Sequence, residues 1–209
     1  MLPVVAIAGL SGMVLSRERV VAGADARLID GGLALARNDL DRVRLIGGAM
    51  VPPGAPARAQ LSDAMLLLQT ASSLPASRRA AAIDAALTRV DIALARRPRW
   101  GDALAVKAYL EEARSGGASR AAMAAFAGSY AAAPYLPSAA EWRIRYGATR
   151  WAALSPAARR NVLDEALWLA TVDGGKRGEM FGWFRATPAY RPLMLRWRAM
   201  RRAVWSRGA

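Results

Sequence analysis

Acidic residues are the first place to look for chemistry, because the chain contains no Cys and no His. Structural zinc sites, thiol nucleophiles and histidine general bases are thereby excluded. A pair of carboxylates acting on a glycosidic bond would draw on Asp164, Glu165 and Glu141. Adjacent residues on a helix point in different directions, so Asp164 and Glu165 cannot oppose each other across a substrate. We therefore expect no catalytic residue, no metal site and no cofactor, and expect these carboxylates to pair with Arg159 or Arg160 at the surface.

A second candidate is the segment Trp142–Trp151, in which Trp142, Tyr146 and Trp151 alternate with arginines. Arginine pairs with phosphate or carboxylate and aromatic faces stack on rings, so such a segment can bind a polyanion or a sugar. The alternative is that the aromatic residues pack against other helices while the arginines face water. We favour packing, because aromatic residues at helical spacing usually belong to a core.

The formal net charge of +14 raises nucleic acid, an anionic membrane or an acidic polymer as a partner. Among the 30 basic residues, only Lys107 and Lys176 are lysines. A chain so rich in Arg, Ala and Gly is also what the codon bias of a GC-rich genome produces. We favour compositional bias and general solubility over a dedicated polyanion site.

An internal repeat indicates how these residues are positioned. The stretch Ala80–Pro98 aligns with Gly116–Pro134 at a constant offset of 36 residues. A period of this length is typical of helical-hairpin arrays, in which each hairpin buries its apolar face against a neighbour. The abundance of Ala favours close-packed helices over sheets. The matched pairs are Ala85 with Ala121, Ala86 with Ala122, Leu87 with Met123, Val90 with Phe126, Leu94 with Tyr130, Ala95 with Ala131, and Pro98 with Pro134.

The N-terminal stretch Leu2–Leu15 is uncharged and mostly apolar. It is shorter than the roughly 20 residues that a bilayer span needs, and no basic residue precedes it as in a signal peptide. It is a short membrane anchor whose helix continues past Arg17, an anchor trimmed by a wrongly assigned start, or an apolar helix packed on the array. We favour an anchor over residues 1–19, followed by a helical-repeat domain over residues 20–209. Arg17 and Arg19 favour a cytoplasmic location for the side that follows the anchor.

Breaks at Val51–Pro56, at Ser115-Gly116-Gly117 and at Asp173-Gly174-Gly175 separate the remaining helices. The last helix carries both an apolar stripe and many arginines, so it either caps the open end of the array or lies on an anionic membrane or polymer. We favour capping. The predicted helices outside the repeat are Val20–Arg37, Leu40–Met50, Ala57–Leu74, Arg99–Ala113, Leu136–Leu154, Ala157–Ala170, Lys176–Arg185 and Ala189–Arg207.

Small and large apolar residues recur at fixed distances before the proline that ends each copy of the repeat. Counting back from Pro98 and Pro134, a small residue lies twelve positions before, a large apolar residue eight before and a small residue five before. This pattern resembles the second helix of a tetratricopeptide repeat, in which small residues let two helices approach closely. Ala108 stands at the small position of a degenerate first helix. The residues that carry the resemblance are Ala86, Val90 and Ala93 in the first copy, and Ala122, Phe126 and Ser129 in the second.

A wider resemblance covers Arg96–Arg202. This region is similar to small tetratricopeptide-like accessory proteins encoded in bacterial exopolysaccharide and O-antigen clusters. The resemblance implies an N-terminal inner-membrane anchor, a helical domain on the periplasmic side, and no catalytic residues. The matching residues, in their local order, are Arg143, Arg145, Trp151, Leu154, Pro156, Arg160 and Val162.

These observations predict an all-α tetratricopeptide-like array that acts as a non-enzymatic scaffold or adaptor in a polysaccharide synthesis or export assembly. First helices line the groove of such arrays, so the expected contacts to a partner protein are Lys107, Glu111, Arg143, Arg145 and Tyr146. The alternative is a basic helical protein that binds nucleic acid or another polyanion, which predicts arginines gathered on one face. An enzyme acting on polysaccharide is the third possibility, and a cytoplasmic location is the alternative to the periplasm.

Overall fold

The computed structural model describes residues 2–47 and 50–205. In these ranges the chain forms ten α-helices and one short 3-10 helix, Trp151–Ala153, and no β-strand, so the prediction of an all-α fold is confirmed. Residue 1 of the predicted anchor, residues 48 and 49 of the predicted second helix, and Arg207 at the predicted end of the last helix lie outside the described residues. The helices are α1 (Leu2–Ala36), α2 (Leu40–Gly47), α3 (Ala57–Ala71), α4 (Ala76–Arg96), α5 (Gly101–Ser115), α6 (Arg120–Ala132), α7 (Ala140–Thr149), α8 (Pro156–Val172), α9 (Arg177–Arg185) and α10 (Tyr190–Trp205).

The helices form two compact units, whereas the sequence indicated one helical-repeat domain over residues 20–209. The first unit consists of Met1–Pro98 and Tyr109–Gly117, and the second of Arg99–Ala108 and Ala118–Ala209. Helix α5 thus contributes residues to both units.

In the first unit, α1 packs on α2 and α3, and α3 packs on α4. Small buried residues such as Ala24 and Ala59 keep the helices close. Helix α1 runs without a break across the domain boundary predicted after residue 19. The physical reason is that Arg17-Glu18-Arg19 are good helix formers and no proline interrupts them. None of the helices in the described ranges combines the length and the apolar character that a bilayer span requires.

In the second unit, α8 lies in contact with α6, α7, α9 and α10. Phe126 of α6 is at the centre of the core, with its ring centroid 5.3 Å from that of Tyr130 and 4.9 Å from that of Tyr146. Gly147 allows α7 to approach closely, because a Cβ there would lie 2.4 Å from a methyl carbon of Val162. The other large and fully buried side chains of this core are Ile144, Met180, Phe184 and Leu193.

Local signals in the sequence explain where several helices begin and end. Ser155 caps α8 by accepting a hydrogen bond from the backbone N–H of Ala158 at 3.2 Å, with Pro156 in the first turn. Gly116 ends α5 with a φ of +71°, a conformation that glycine adopts without strain. Helix α7 begins at Ala140 rather than at Leu136. Pro137 disfavours the helical conformation at Leu136.

The 36-residue register recurs in the burial pattern and extends into a third helix, α8. At each of three positions in α4, α6 and α8, the residue is at most 4% exposed. In this third copy Glu165 stands where α4 and α6 carry a small residue. Each position recurs every 36 residues, and the three sets of equivalent residues are Ala86, Ala122 and Ala158; Val90, Phe126 and Val162; and Ala93, Ser129 and Glu165.

Candidate functional site

Glu165 of α8 is a fully buried carboxylate whose oxygens are all engaged by the protein. It accepts hydrogen bonds from the hydroxyl of Tyr130 at 2.8 Å and from the backbone N–H of Leu136 at 3.1 Å. Arg143 of α7 donates to it through Nε at 3.1 Å and also through Nη2, so the ion pair is bidentate. No oxygen of this carboxylate is left to contact a substrate or to move a proton.

Arg143 is itself fully buried, and it donates hydrogen bonds to carbonyl oxygens at the end of α6. Its Nη1 donates to the carbonyl oxygen of Ala133 at 2.8 Å and to that of Ser129 at 3.3 Å, and its Nη2 donates to that of Pro134 at 3.3 Å. The last carbonyls of a helix lack partners within the helix, and a cation is favoured there by the helix dipole. The guanidinium also lies 4.1 Å from the ring centroid of Tyr130. The prediction that Arg143 contacts a partner is therefore corrected: its side chain stabilises the fold.

Burial also changes the protonation behaviour of this cluster. Burial raises the pKa of Glu165, and the hydrogen bonds from Arg143, Tyr130 and the N–H of Leu136 oppose that rise. The pKa of Tyr130 is raised as well, first by burial and then by the charge of Glu165. Shifted pKa values often mark functional sites, but they also accompany structural ion pairs. Because this carboxylate is enclosed by protein groups, the second explanation holds here.

The first unit contains a corresponding ion pair between Asp63 of α3 and Arg89 of α4. The Nε of Arg89 lies 3.3 Å from Oδ2 of Asp63, and both side chains are more than nine-tenths buried. Asp63 also accepts a hydrogen bond from the backbone N–H of Val51 at 3.4 Å, and Arg27 of α1 lies 3.9 Å away. Burial raises the pKa of Asp63 and these three groups lower it, with a net rise.

This ion pair is connected to the proline-rich break, residues 51–56. Arg89 donates to Oε1 of Gln60 at 3.2 Å, and the amide of Gln60 donates to the carbonyl oxygens of Pro52 at 2.6 Å and Pro53 at 3.2 Å. Arg96 donates to the carbonyl oxygens of Ala55 and Pro53. The cluster therefore holds a loop whose prolines cannot donate backbone hydrogen bonds of their own.

The other two carboxylates considered for acid–base chemistry also form ion pairs. Glu141 pairs with Lys176, and Asp164 pairs with Arg196. The prediction that Asp164 and Glu165 point in different directions is confirmed, since Glu165 is buried while the side chain of Asp164 is 46% exposed. The predicted partners were wrong. Arg159 donates instead to the backbone carbonyl oxygens of the 3-10 helix.

The remaining predicted contact residues differ in exposure. Lys107 of α5 is partly buried, and Glu111, one turn further along α5, is buried and pairs with Arg114. Tyr146 is buried in the core of the second unit. Arg145 is exposed, with its guanidinium 5.7 Å from the ring centroid of Trp183. Of the five predicted contacts, Arg145 is thus the one whose side chain faces solvent extensively.

In the segment Trp142–Trp151 the aromatic residues pack against other helices, as the sequence predicted, and one arginine is an exception to the prediction that the arginines face water. Tyr146 and Trp151 are buried, and Trp142 packs against the same core with its ring centroid 6.2 Å from that of Phe126. Arg145 faces water as expected. Arg143 does not, and its burial is the exception.

A second surface of interest lies on α10, which contains five arginines and no acidic residue. Its inner side packs on α8 and α9 through Leu193, which is fully buried, and through Trp197, whose ring centroid lies 5.3 Å from that of Phe181. Its outer side carries arginines that make no ion pair within the part of the chain that the structure describes. We call this outer side the arginine face and define it as Arg191, Met194, Leu195, Arg198, Arg201 and Arg202.

Comparison of the chain with protein-family models, with curated proteins and with solved structures gave no match. Within the described residues, no three acidic side chains are grouped so that they could hold a metal ion.

Proposed function

We propose that this protein is a non-enzymatic scaffold of tetratricopeptide-like helical hairpins that binds a partner protein in a bacterial polysaccharide synthesis or export assembly. The observation that supports it most is the 36-residue register of buried positions shared by α4, α6 and α8. A repeated helix that buries the same positions each time leaves its other faces available for binding. The polysaccharide context comes from the sequence resemblance over Arg96–Arg202.

The state of the acidic residues favours a scaffold over an enzyme. Glu165 is enclosed by hydrogen-bond donors, and Glu141 and Asp164 are each neutralised by a separate cation. General acid–base catalysis needs a carboxyl group within hydrogen-bond reach of a substrate. These three carboxylates instead connect helices of the second unit.

The partner surface that we propose in the second unit includes Lys107 on α5 and Arg145 on α7. Both are cationic, and the forked guanidinium of Arg145 matches a carboxylate on the partner. Charge reversal at Arg145 replaces an attraction by a repulsion and leaves the fold intact, since the side chain is exposed.

The functional test is deletion of the gene in the source bacterium, followed by complementation. We expect deletion to abolish or sharply reduce the cell-surface polysaccharide, and wild-type protein to restore it. Arg145→Glu should fail to restore it, whereas the matched control Arg120→Glu, at an exposed site on α6, should succeed. Unchanged polysaccharide after deletion would rule out the proposed context. Restoration by Arg145→Glu would remove Arg145 from the partner surface.

For the location, we propose that Leu2–Leu15 attaches the chain to the inner membrane, with the helical units on the periplasmic side. The test is fractionation of cells expressing the full chain with a C-terminal tag, followed by protease treatment of spheroplasts. A membrane-bound tag that external protease removes supports this location. A tag in the soluble cytoplasmic fraction would favour the cytoplasmic alternative.

A second candidate function, binding of nucleic acid or another polyanion, is favoured by the arginine face of α10. Arginines gathered on one side of a helix that itself has no acidic residue are the arrangement that this alternative predicts. It requires affinity for a DNA or RNA duplex that falls steeply with salt concentration, because each neutralised phosphate releases a counterion. Absence of measurable duplex binding at low salt would exclude a nucleic-acid duplex as the partner.

A further inference from the structure

The arginine face of α10 combines charge with exposed apolar area. Arg191, Leu195, Arg198 and Arg202 are spaced by four, three and four residues, so they lie along one side of the helix. Leu195 is 58% exposed in the middle of this row. Met194 and Arg201 lie beside this row. A shallow depression on the surface is lined by Met194, Trp197, Arg198, Arg201 and Arg202.

This combination distinguishes between possible anionic partners. A nucleic acid or a hydrophilic acidic polymer would pair with the guanidinium groups and leave the exposed leucine against a charged backbone. A lipid bilayer offers phosphate groups at the level of the guanidinium groups and hydrocarbon just below them. Arginine can bury its aliphatic stem in apolar surroundings while its head remains at the phosphates.

We propose that the arginine face lies on a bilayer surface rich in anionic phospholipid. Arg191, Arg198 and Arg202 contact lipid phosphates, and Leu195 inserts into the interface between them. This contact is distinct from the N-terminal run and does not depend on which protein the hairpins bind. The apolar inner side of α10 is already packed on α8 and α9, so insertion is shallow and the affinity is mainly electrostatic.

The expected size of the effect follows from the number of arginines. One basic residue near an anionic membrane surface changes affinity by roughly fivefold. Removing three should therefore weaken the contact on the order of 100-fold. The attraction should also weaken with salt, because the screening length is only about 8 Å at physiological ionic strength.

A fluorescence measurement on the full chain tests the contact directly. Because the chain has no Cys, Ala199→Cys gives one labelling site next to Leu195 for an environment-sensitive dye. Ala127→Cys, at an exposed position of α6, is the matched control. We expect a blue shift for the label at position 199 on vesicles of phosphatidylglycerol and phosphatidylcholine, and none on pure phosphatidylcholine. The control label should not shift on either. This readout reports α10 even where the N-terminal run already holds the chain on the vesicle.

Two pairs of variants separate charge from apolar contact. Arg191→Gln, Arg198→Gln and Arg202→Gln combined should abolish the shift or move its lipid midpoint by about 100-fold. The equal loss of charge in Arg78→Gln, Arg99→Gln and Arg120→Gln combined, at exposed sites elsewhere, should leave it unchanged. Leu195→Gln should raise the midpoint by about tenfold, whereas Val172→Gln, at a residue 60% exposed on α8, should not.

Several results would overturn the proposal. The assignment of the arginine face to a lipid surface is wrong if the label at position 199 gives no shift on anionic vesicles, or an equal shift on pure phosphatidylcholine. It is equally wrong if the triple arginine variant retains the wild-type midpoint. A shift on a DNA duplex that matches the shift on vesicles, and that Leu195→Gln leaves unchanged, would assign the arginine face to nucleic acid instead.

Discussion

The two buried ion pairs join neighbouring helices with opposite polarity. In the first unit the acid, Asp63, lies on the earlier helix and Arg89 on the later one, whereas in the second unit Arg143 precedes Glu165. The second pair is bidentate and has no exposed surface, while the first is a single contact of 3.3 Å with slight exposure. Arg143 also completes the end of α6, but Arg89 supports a loop. The buried ion pair thus stabilises the end of a core helix in the second unit and a loop in the first.

The largest expected effect is that of Arg143→Met. It leaves Glu165 buried without its counter-charge and removes the donors to three carbonyl oxygens at the end of α6. Breaking a buried ion pair from one side costs about 3–5 kcal/mol, so we expect a loss of that order in the free energy of unfolding. Denaturant titration monitored by circular dichroism measures it. The loss should shrink in acid, because Glu165 can then take up a proton.

Arg145→Met is the control for this variant, two residues along the same helix. Its guanidinium is exposed and lies over Trp183, so the expected loss is about 0.5–1 kcal/mol. Equal losses for the two variants would show that Arg143 does not hold the second unit together.

A smaller effect is expected for Asp63→Asn in the first unit. The amide keeps one acceptor for Arg89 but removes the charge, so we expect a loss of about 1–3 kcal/mol. Asp84→Asn, at an exposed position of α4, should change the free energy by less than about 0.5 kcal/mol. Hydrogen exchange of the backbone N–H of Val51, which donates to Asp63, should be faster in Asp63→Asn. Unchanged exchange there would contradict the link between this ion pair and the loop.

The last expected effect concerns pH. Because burial raises the pKa of Glu165 above its ordinary value of 4.5, the folded protein binds this proton more tightly than the unfolded chain. The contribution of Glu165 to stability is therefore greatest below the ordinary value and falls as pH rises through the folded pKa. The slope is at most about 1.4 kcal/mol per pH unit. Free energies of unfolding measured from pH 4 upward should show this fall in the wild type, with a flatter profile in Glu165→Gln. Identical profiles would mean that the proton on Glu165 is not linked to folding.

Much of the helical architecture follows from local sequence signals. The caps at Ser155 and Gly116 and the proline-rich break at residues 51–56 all lie where residue chemistry requires them. The division into two units does not follow from the sequence, because no loop or change in composition marks it within α5. The apolar spacing of the repeat predicted buried positions that the structure confirms, including Val90 and Phe126.

The identity of the buried charges depends on tertiary contacts. Arg143 and Arg145 lie two residues apart in a chain whose basic residues are almost all arginine. Only the positions of Glu165 and of the end of α6 decide which one is buried. One sequence signal was available. Glu165 follows Ser129 by 36 residues, so it occupies a position where the earlier copies have a small buried residue. A charged residue in that row indicates a buried partner.

Buried arginines maintain the fold, and we propose that an exposed arginine, Arg145, binds the partner. The most direct measurement is photo-crosslinking in the source bacterium with a photoreactive residue at position 145, and with one at position 120 for comparison. We predict a discrete crosslinked protein from position 145, belonging to the polysaccharide assembly, and none from position 120. No product from position 145, or the same products from both positions, would contradict the claim.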